Sequence, residues 1–469
     1  MAFLTPKNYR FPSRHRYIIL VLPFILATFS WFIFPPLANW LSTNFFGYMP
    51  LYEPAGWLWY TVSTIYYSWF TFLAIAVGGL LAAGAWLSRS LAKRKQLDFH
   101  PMVSFVVPAF NEEKLLPRCI DSLFECGRKY LGLVEIIVVD DGSTDNSYEI
   151  AFASINSNMG PNPLVKGRVV RHTSNMGKVE ALRSGLNRAL GQLVAVVDAD
   201  SWWRADTLQS LIEYMRANGK AAVTGYVHPT DSNNEGNPYT VLQQLEYSQG
   251  LGIFRCAQAL GNSVLVVPGA IGLYDANILR DVLNNKTVKS VTEDFEITLE
   301  LQEQGHEVGY LNSARCGTTA PESFSSFWNQ RSRWFVGWLH NTLQIHRDIL
   351  LSKRWLSLLL WYCLIVEYAG AFVELAAIAS FPFLFWFAPD RILFVLNLLW
   401  FGFYTLTIGM FTQLIALRFA YGRSDGRSLL YYTPFYAILR FINLVARAAS
   451  VMRYALGYRG NWESRRTLD

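Results

Sequence analysis

The chain has 469 residues, of which 52% are hydrophobic and only 16% charged, with a net charge of +6. A soluble globular chain carries about 25% charged residues, so this composition argues against a wholly soluble protein, and it excludes disorder because too much apolar surface must be buried. The mild positive charge suits lysines and arginines at a cytoplasmic membrane face better than a nucleic-acid partner.

Tyr17–Tyr52 and Pro54–Ser88 contain no Asp, Glu, Lys or Arg. A helix spans a bilayer with about 20 apolar residues, so the two runs predict an N-terminal hairpin of membrane helices. Lys7, Arg10, Arg14 and Arg16 precede it, and Arg89, Lys93, Arg94 and Lys95 follow it. Positive charge stays inside, so both outer ends of the hairpin are expected on the cytoplasmic side.

Between His100 and Arg347 the pattern changes to short apolar runs alternating with polar helical stretches. Strands are predicted at Met102–Phe110, Val134–Val139, Val169–His172 and Leu193–Val197, with helices up to Cys126 and from Lys178 to Leu190. Such alternation predicts parallel strands joined by crossover helices, with ligands at the strands' carboxyl ends. Acids fall at those ends. Asp140 and Asp141 close the second strand, as a turn or as a carboxylate facing a nucleotide. Asp198 and Asp200 close the fourth, where two carboxylates one residue apart can meet a hard divalent ion and phosphate oxygens. The five cysteines (Cys119, Cys126, Cys256, Cys316 and Cys363) fit free thiols in a reducing compartment.

Thr292-Glu293-Asp294 opens a helical stretch running to Gln304. Ser290 and Glu293 have the spacing of a capping box, and a carboxylate base is the alternative. In the string Gln330-Arg331-Ser332-Arg333-Trp334, helical winding puts Gln330, Arg333, Trp334 and Gly337 on one face. Arginine offers a fork to phosphate, and tryptophan a flat face to a sugar ring. The same string also suits a basic, aromatic helix lying at a membrane surface.

After Arg354 the chain is apolar again. Trp355–Ala388 holds only Glu367 and Glu374 as charges, and these share a helix face. Ile392–Leu417 has no charge, while Leu429–Tyr458 carries Arg440, Arg447 and Arg453. Arg440 and Arg447 also share a face. The segment therefore either lies at the interface with its arginines outward, or spans with Arg440 and Arg447 turned to a polar path. The Glu367/Glu374 face is expected to line that path or to pair with these arginines.

The strings VVPAFNE (106–112), VVDDGSTD (138–145), NMGKVEALRSG (175–185), VVDADS (196–201), PGAIGLYD (268–275), TED (292–294) and QRSRW (330–334) follow one another in this order. Together they resemble the processive, membrane-embedded family 2 glycosyltransferases, the group of poly-N-acetylglucosamine, hyaluronan, chitin and cellulose synthases. The resemblance implies an α/β GT-A-type (Rossmann-like) cytoplasmic domain with α-helical transmembrane and interfacial helices. It divides the chain into a transmembrane hairpin (1–99), the GT-A domain (100–320), interfacial helices with QRSRW (321–354) and C-terminal transmembrane or interfacial helices (355–469). It implies a UDP-sugar donor, Mg2+ or Mn2+, a growing polysaccharide as acceptor, and a place in the inner membrane. Lipid and accessory secretion subunits would be its partners, and nucleic acid would not.

Residue by residue, the resemblance puts an acid of the pair Asp140/Asp141 on the uridine and Lys178 near the nucleotide phosphates. Asp198 would meet donor and metal, with Asp200 the likelier direct metal ligand. Asp294, beside Glu293, would be the base. Arg333 would contact the diphosphate. Gln330, Trp334, Gly269 and Gly272 would meet the acceptor sugar. The implied product is a β-linked polysaccharide exported as it grows, with N-acetylglucosamine the leading sugar because QRSRW is nearer the QRxRW of poly-N-acetylglucosamine synthases than the QQxRW of hyaluronan synthases. Hyaluronan, chitin-like or glucan synthesis, single transfer to a lipid, and a non-catalytic receptor or channel are the competing readings.

Overall fold

The computed structural model describes residues 78–92, 100–160, 164–232, 236–286, 288–352, 354–387, 391–421, 429 and 431–460. The first predicted span and most of the second lie outside these residues. The end of the second forms helix α1 (Gly78–Leu91).

The apolar runs become strands because they are buried along their whole length. β1 (Val103–Ala109), β2 (Val134–Asp140) and β4 (Leu193–Val196) are buried at every position. Strands covered on both faces read this way in a parallel sheet. β3 (Val165–Arg171) is partly exposed and begins four residues before the predicted VVRH. Helices α2 (Leu116–Lys129), α3 (Ser147–Asn158) and α4 (Lys178–Arg188) make the crossovers. β1 pairs in parallel with β2 and β4, and β2 with β3, so their carboxyl ends share one edge.

The sheet then turns mixed, with four strands that the sequence reading did not place. They are β5 (Ser201–Trp203), β6 (Ala222–Thr230), β7 (Gly272–Asp275) and β8 (Val308–Thr319). The strand order is β3-β2-β1-β4-β7-β6-β8-β5. β7 runs antiparallel to β4, with Val196 opposite Gly272. That pairing brings the Pro268–Ile271 loop beside Asp198, whose amide donates to Gly269 O at 2.9 Å. Trp203 braces this loop from the core: it lies edge-on to Phe105, and its Nε1 donates to Ala270 O at 2.9 Å.

Helices α5 (Thr207–Ala217) and α7 (Ala276–Asn285) complete the sheet's cover. Further α-helices among the described residues are α6 (Pro238–Gln249), α8 (Glu293–Glu303), α9 (Phe324–His340), α10 (Arg347–Leu351), α11 (Trp355–Tyr362), α12 (Gly370–Phe387), α13 (Arg391–Tyr421) and α14 (Thr433–Ala455). Among the described residues, Trp355–Phe383 and Thr433–Ala455 are long and apolar enough to cross a membrane, with mean hydropathies of 1.8 and 1.4. Of the arginines on α14, Arg447 is largely covered by the protein, whereas Arg440 is paired but still more than half exposed. Arg440 meets Glu374 at 2.8 Å and Arg447 meets Glu367 at 2.7 Å. All five cysteines are free and buried.

Candidate active site

Both acids at the end of β2 are buried. Asp141 is engaged inside the protein. Its Oδ1 lies 2.7 Å from His172 Nδ1 and accepts from Met176 N at 2.9 Å, and its Oδ2 accepts from Gly177 N at 2.8 Å. Asp141 thus fixes the loop that delivers Lys178. Asp140 Oδ1 accepts from Ser143 N at 3.3 Å, and its Oδ2 has Arg171 Nε at 3.2 Å. Asp140 thus makes the local turn bond and also meets a cation of the neighbouring strand, while Asp141 ties the end of β2 to the distant loop before α4.

Lys178 opens α4 and joins two distant strings. Its Nζ is 2.7 Å from Asp198 Oδ1, at the end of β4, and 2.7 Å from Glu293 Oε1, at the start of α8. Burial works against the ammonium's charge, but Asp198 and Glu293 hold its pKa above the ordinary lysine value. Gly269 sits against this pair. A Cβ there would lie 2.6 Å from Asp198 Oδ1 and 2.9 Å from Lys178 Nζ. Gly272 is elsewhere, inside β7, packed on Tyr274 and Val267.

Asp200, one residue beyond Ala199, accepts from Ser201 Oγ at 3.1 Å and Thr318 Oγ1 at 3.4 Å on its Oδ1. Asp198 and Asp200 are both half-buried, and their donor set is carboxylate oxygen alone. Oxygen donors of that kind fit a hard ion such as Mg2+ or Mn2+.

Ser290 and Glu293 do not form a capping box. Thr292 is the N-cap of α8, and its amide donates to Ser290 Oγ at 3.2 Å, while the Glu293 carboxylate goes to Lys178. Asp294 follows on the first turn, half-buried, with Oδ1 accepting from Phe295 N at 2.8 Å. Burial, then the Glu293 carboxylate, push its carboxyl up to about 6, against the pull of Lys178. At neutral pH such a group is ionised and basic enough to take a proton.

Gln330, Arg333 and Trp334 lie along α9, Gln330 buried and the other two half-buried. Arg331, which sequence reasoning used only as a family marker, is 2% exposed. Its guanidinium stacks 4.3 Å from the Trp334 ring centroid and 4.7 Å from that of Phe327, and it pairs with Glu246 on α6. Glu246 Oε1 in turn accepts from Asn443 Nδ2 of α14 at 3.0 Å. Arg331 therefore backs the tryptophan instead of facing a ligand. His172, Glu246 and Asn443 carried no local signal, because each acts through a partner far away in sequence.

Among the described residues, Glu300, Glu303 and His346 also bring possible metal-donor atoms within 4.8 Å of one another. Glu300 is paired with Lys286, and Glu303 Oε2 lies 2.7 Å from His346 Nδ1. These contacts make a brace between α8 and the turn before α10.

Residues 104–283 match the model of the Glycosyl transferase family 2 family. A poly-β-1,6-N-acetyl-D-glucosamine synthase of Staphylococcus epidermidis is 25% identical over 382 residues, covering 77% of this chain and 86% of that protein. The enzyme of the same name from Staphylococcus aureus strain COL is 26% identical over 293 residues, covering 60% and 68%. The fold is also that of a mannosyltransferase from Pyrobaculum calidifontis, solved with GDP-Man and Mn2+, with a TM-score of 0.54 at 18% identity over 81% of this chain and 96% of that one. The sheet is thus of GT-A type, and the family-matched segment holds Asp140 and Asp198 at strand ends and Lys178 at the start of α4: the chain is a glycosyltransferase with a family 2 domain at residues 104–283.

Proposed function

We propose that this enzyme polymerises N-acetylglucosamine from a UDP-sugar into a β-linked polysaccharide, and passes the chain across the membrane in which its apolar helices sit. The observation that carries the reading is the Lys178 bridge. It draws the donor-side acid Asp198 and the start of the base-bearing helix α8 to one ammonium, each at 2.7 Å. The two staphylococcal relatives, named as synthases of such a polymer, support the choice of sugar.

In this reading the acceptor hydroxyl attacks C1 of the donor sugar from the face opposite the UDP. The O–C1 bond forms as the bond from C1 to the phosphate oxygen breaks, and UDP leaves with the electron pair. Asp294 takes the hydroxyl proton, as a base of pKa about 6 can at neutral pH. Lys178 and Arg333 face the negative charge that grows on the diphosphate. Asp200, with Asp198, would hold Mg2+ or Mn2+, which neutralises leaving-group charge when bound. The Lys178 ammonium on Asp198 Oδ1 supports Asp200 as the more direct ligand. Asp140 serves the uridine side. Trp334, backed by Arg331, supports the terminal sugar of the chain, next to Gln330.

The test is to incubate membranes with single labelled UDP-sugars and Mg2+ or Mn2+, size the products and digest them with linkage-specific glycosidases. Long, N-acetylglucosaminidase-sensitive product from UDP-N-acetylglucosamine is expected. A product carrying one added sugar on lipid would sink the reading.

A further inference from the structure

We infer that Asn341 is a positioning residue that fixes the base-bearing helix α8 against the acceptor-side helix α9. It ends α9 at the point where the winding widens into a π-turn, Asn341–Ile345. Turns of this kind often mark functional positions. Asn341 is completely buried. Its Nδ2 lies 2.9 Å from Ser290 Oγ, 3.0 Å from Thr292 Oγ1 and 3.1 Å from Gly337 O. One amide group thus holds its own helix and the two residues that lead into Asp294.

The lead-in is fastened from the other side as well. Ser290 Oγ and Thr292 Oγ1 are 3.0 Å apart, and Ser290 N donates to Glu296 Oε2 at 2.7 Å. Gly337 lets the two elements touch: a Cβ there would lie 2.5 Å from Thr292 Oγ1 and 2.6 Å from Thr292 Cγ2. At 3.6 residues per turn, Gln330, Trp334, Gly337 and Asn341 fall on one face of α9. The face proposed for the sugar therefore ends on the residue that grips the lead-in to the base.

The consequence concerns which nucleophile reacts. A polymer end is held by α9 and cannot reorient, whereas water can. When the base is misplaced relative to α9, transfer to sugar loses alignment, while attack by water on C1 persists. In that side reaction the water oxygen bonds to C1, UDP departs with the electron pair and the base takes the water proton. The inference rests on the reading of Asp294 as base and Trp334 as acceptor support.

The experiment measures UDP release and polymer formation in parallel in the full-length enzyme. Asn341→Ala is expected to lower polymer formation roughly 10–100-fold, the scale of a misplacement of about 1 Å. It should raise the ratio of hydrolysed to transferred donor and leave the donor KM within about twofold, since donor contacts are untouched. Thr292→Val keeps the side-chain shape but removes one hydroxyl partner. It should shift the ratio the same way by less, and it carries the test if Asn341→Ala does not fold. A ratio that stays at the parent value in the folded variant overturns the inference, even if total activity falls. Asp294→Asn separates the two readings: if it still forms polymer, the assignment of the base fails and the inference with it. If it is inactive while the ratio is unmoved by Asn341→Ala, only the inference fails.

Discussion

Arg447 and Glu367 pair at 2.7 Å, and seven residues along each helix Arg440 and Glu374 pair at 2.8 Å in the opposite chain direction. Charged groups in a membrane segment are costly unless paired or turned to a polar interior. Here the two acids of the apolar Trp355–Phe383 helix and two arginines of α14 answer one another. Arg447 also lies 4.8 Å from the Phe335 ring centroid, on α9.

The double variant Glu367→Gln, Glu374→Gln is therefore expected to weaken the fold while sparing catalysis. Polar contacts between membrane helices are worth about 1–2 kcal/mol each in model peptides. Thermal unfolding in detergent should show the loss, and polymer made per folded enzyme should stay near the parent value. A normal melting temperature with polymer retained inside the cell would show instead that these acids serve the export path.

The rate should fall on acidification with a limb near pH 6. Asp294 must be ionised to accept a proton, and burial with Glu293 has raised its carboxyl to about 6. Above that pH the base is ready, and below it each unit costs about tenfold. Glu293→Gln removes a neighbouring negative charge and should move the limb to lower pH, because the Asp294 anion is then less opposed. A limb that moves to higher pH, or one fixed near pH 4, would count against Asp294 as the base. The measurement is kcat/KM across pH in detergent or nanodiscs.

Glu246→Gln should destabilise the enzyme by about 3 kcal/mol, since it strands a buried guanidinium at Arg331. Arg331→Gln should lower affinity for the polymer end, because the Trp334 ring loses its backing. Neither change should alter which UDP-sugar is used. Competition assays with mixed donors would show this, and a switch of donor in Arg331→Gln would mean that the residue reads the sugar directly.

Gly269→Ala is expected to cut turnover roughly 10–100-fold without lowering the melting temperature. Its Cβ would fall 2.6 Å from Asp198 Oδ1 and 2.9 Å from Lys178 Nζ. These side-chain ends can move, so the fold survives, but the bridge to Glu293 is disturbed. Steady-state kinetics with varied donor concentration would test it. An unchanged kcat and KM would show that the bridge is dispensable.

The parallel half of the sheet was legible because β1, β2 and β4 are mainly apolar runs, each followed by a polar turn, with Ser104 and Glu135 inside β1 and β2 bonded to one another. The other half was not. β8 carries Asn312 and Arg315 inside a strand, and those side chains are satisfied by carbonyls of Phe419 and Ala420 on α13, about a hundred residues on. No local pattern announces such a partner. The acids of the candidate site stand out in the sequence, but the contacts that each one makes do not. Asp141 is spent on amides of Met176 and Gly177, and Ser290 on Asn341, contacts that exist only once the chain has folded. The marker arginine of QRSRW was noticed for its identity, whereas its place behind Trp334 follows from Glu246 on a different helix.

The paired spacing of Arg440/Glu374 and Arg447/Glu367 works like two teeth in two notches. Sliding α14 along the apolar Trp355–Phe383 helix by one helical turn, about 5.4 Å, would disengage both teeth at once. The two helices are thereby keyed into a rigid rail. If sugar moves past them, it is the thread that advances, and the rail keeps its register from one addition to the next.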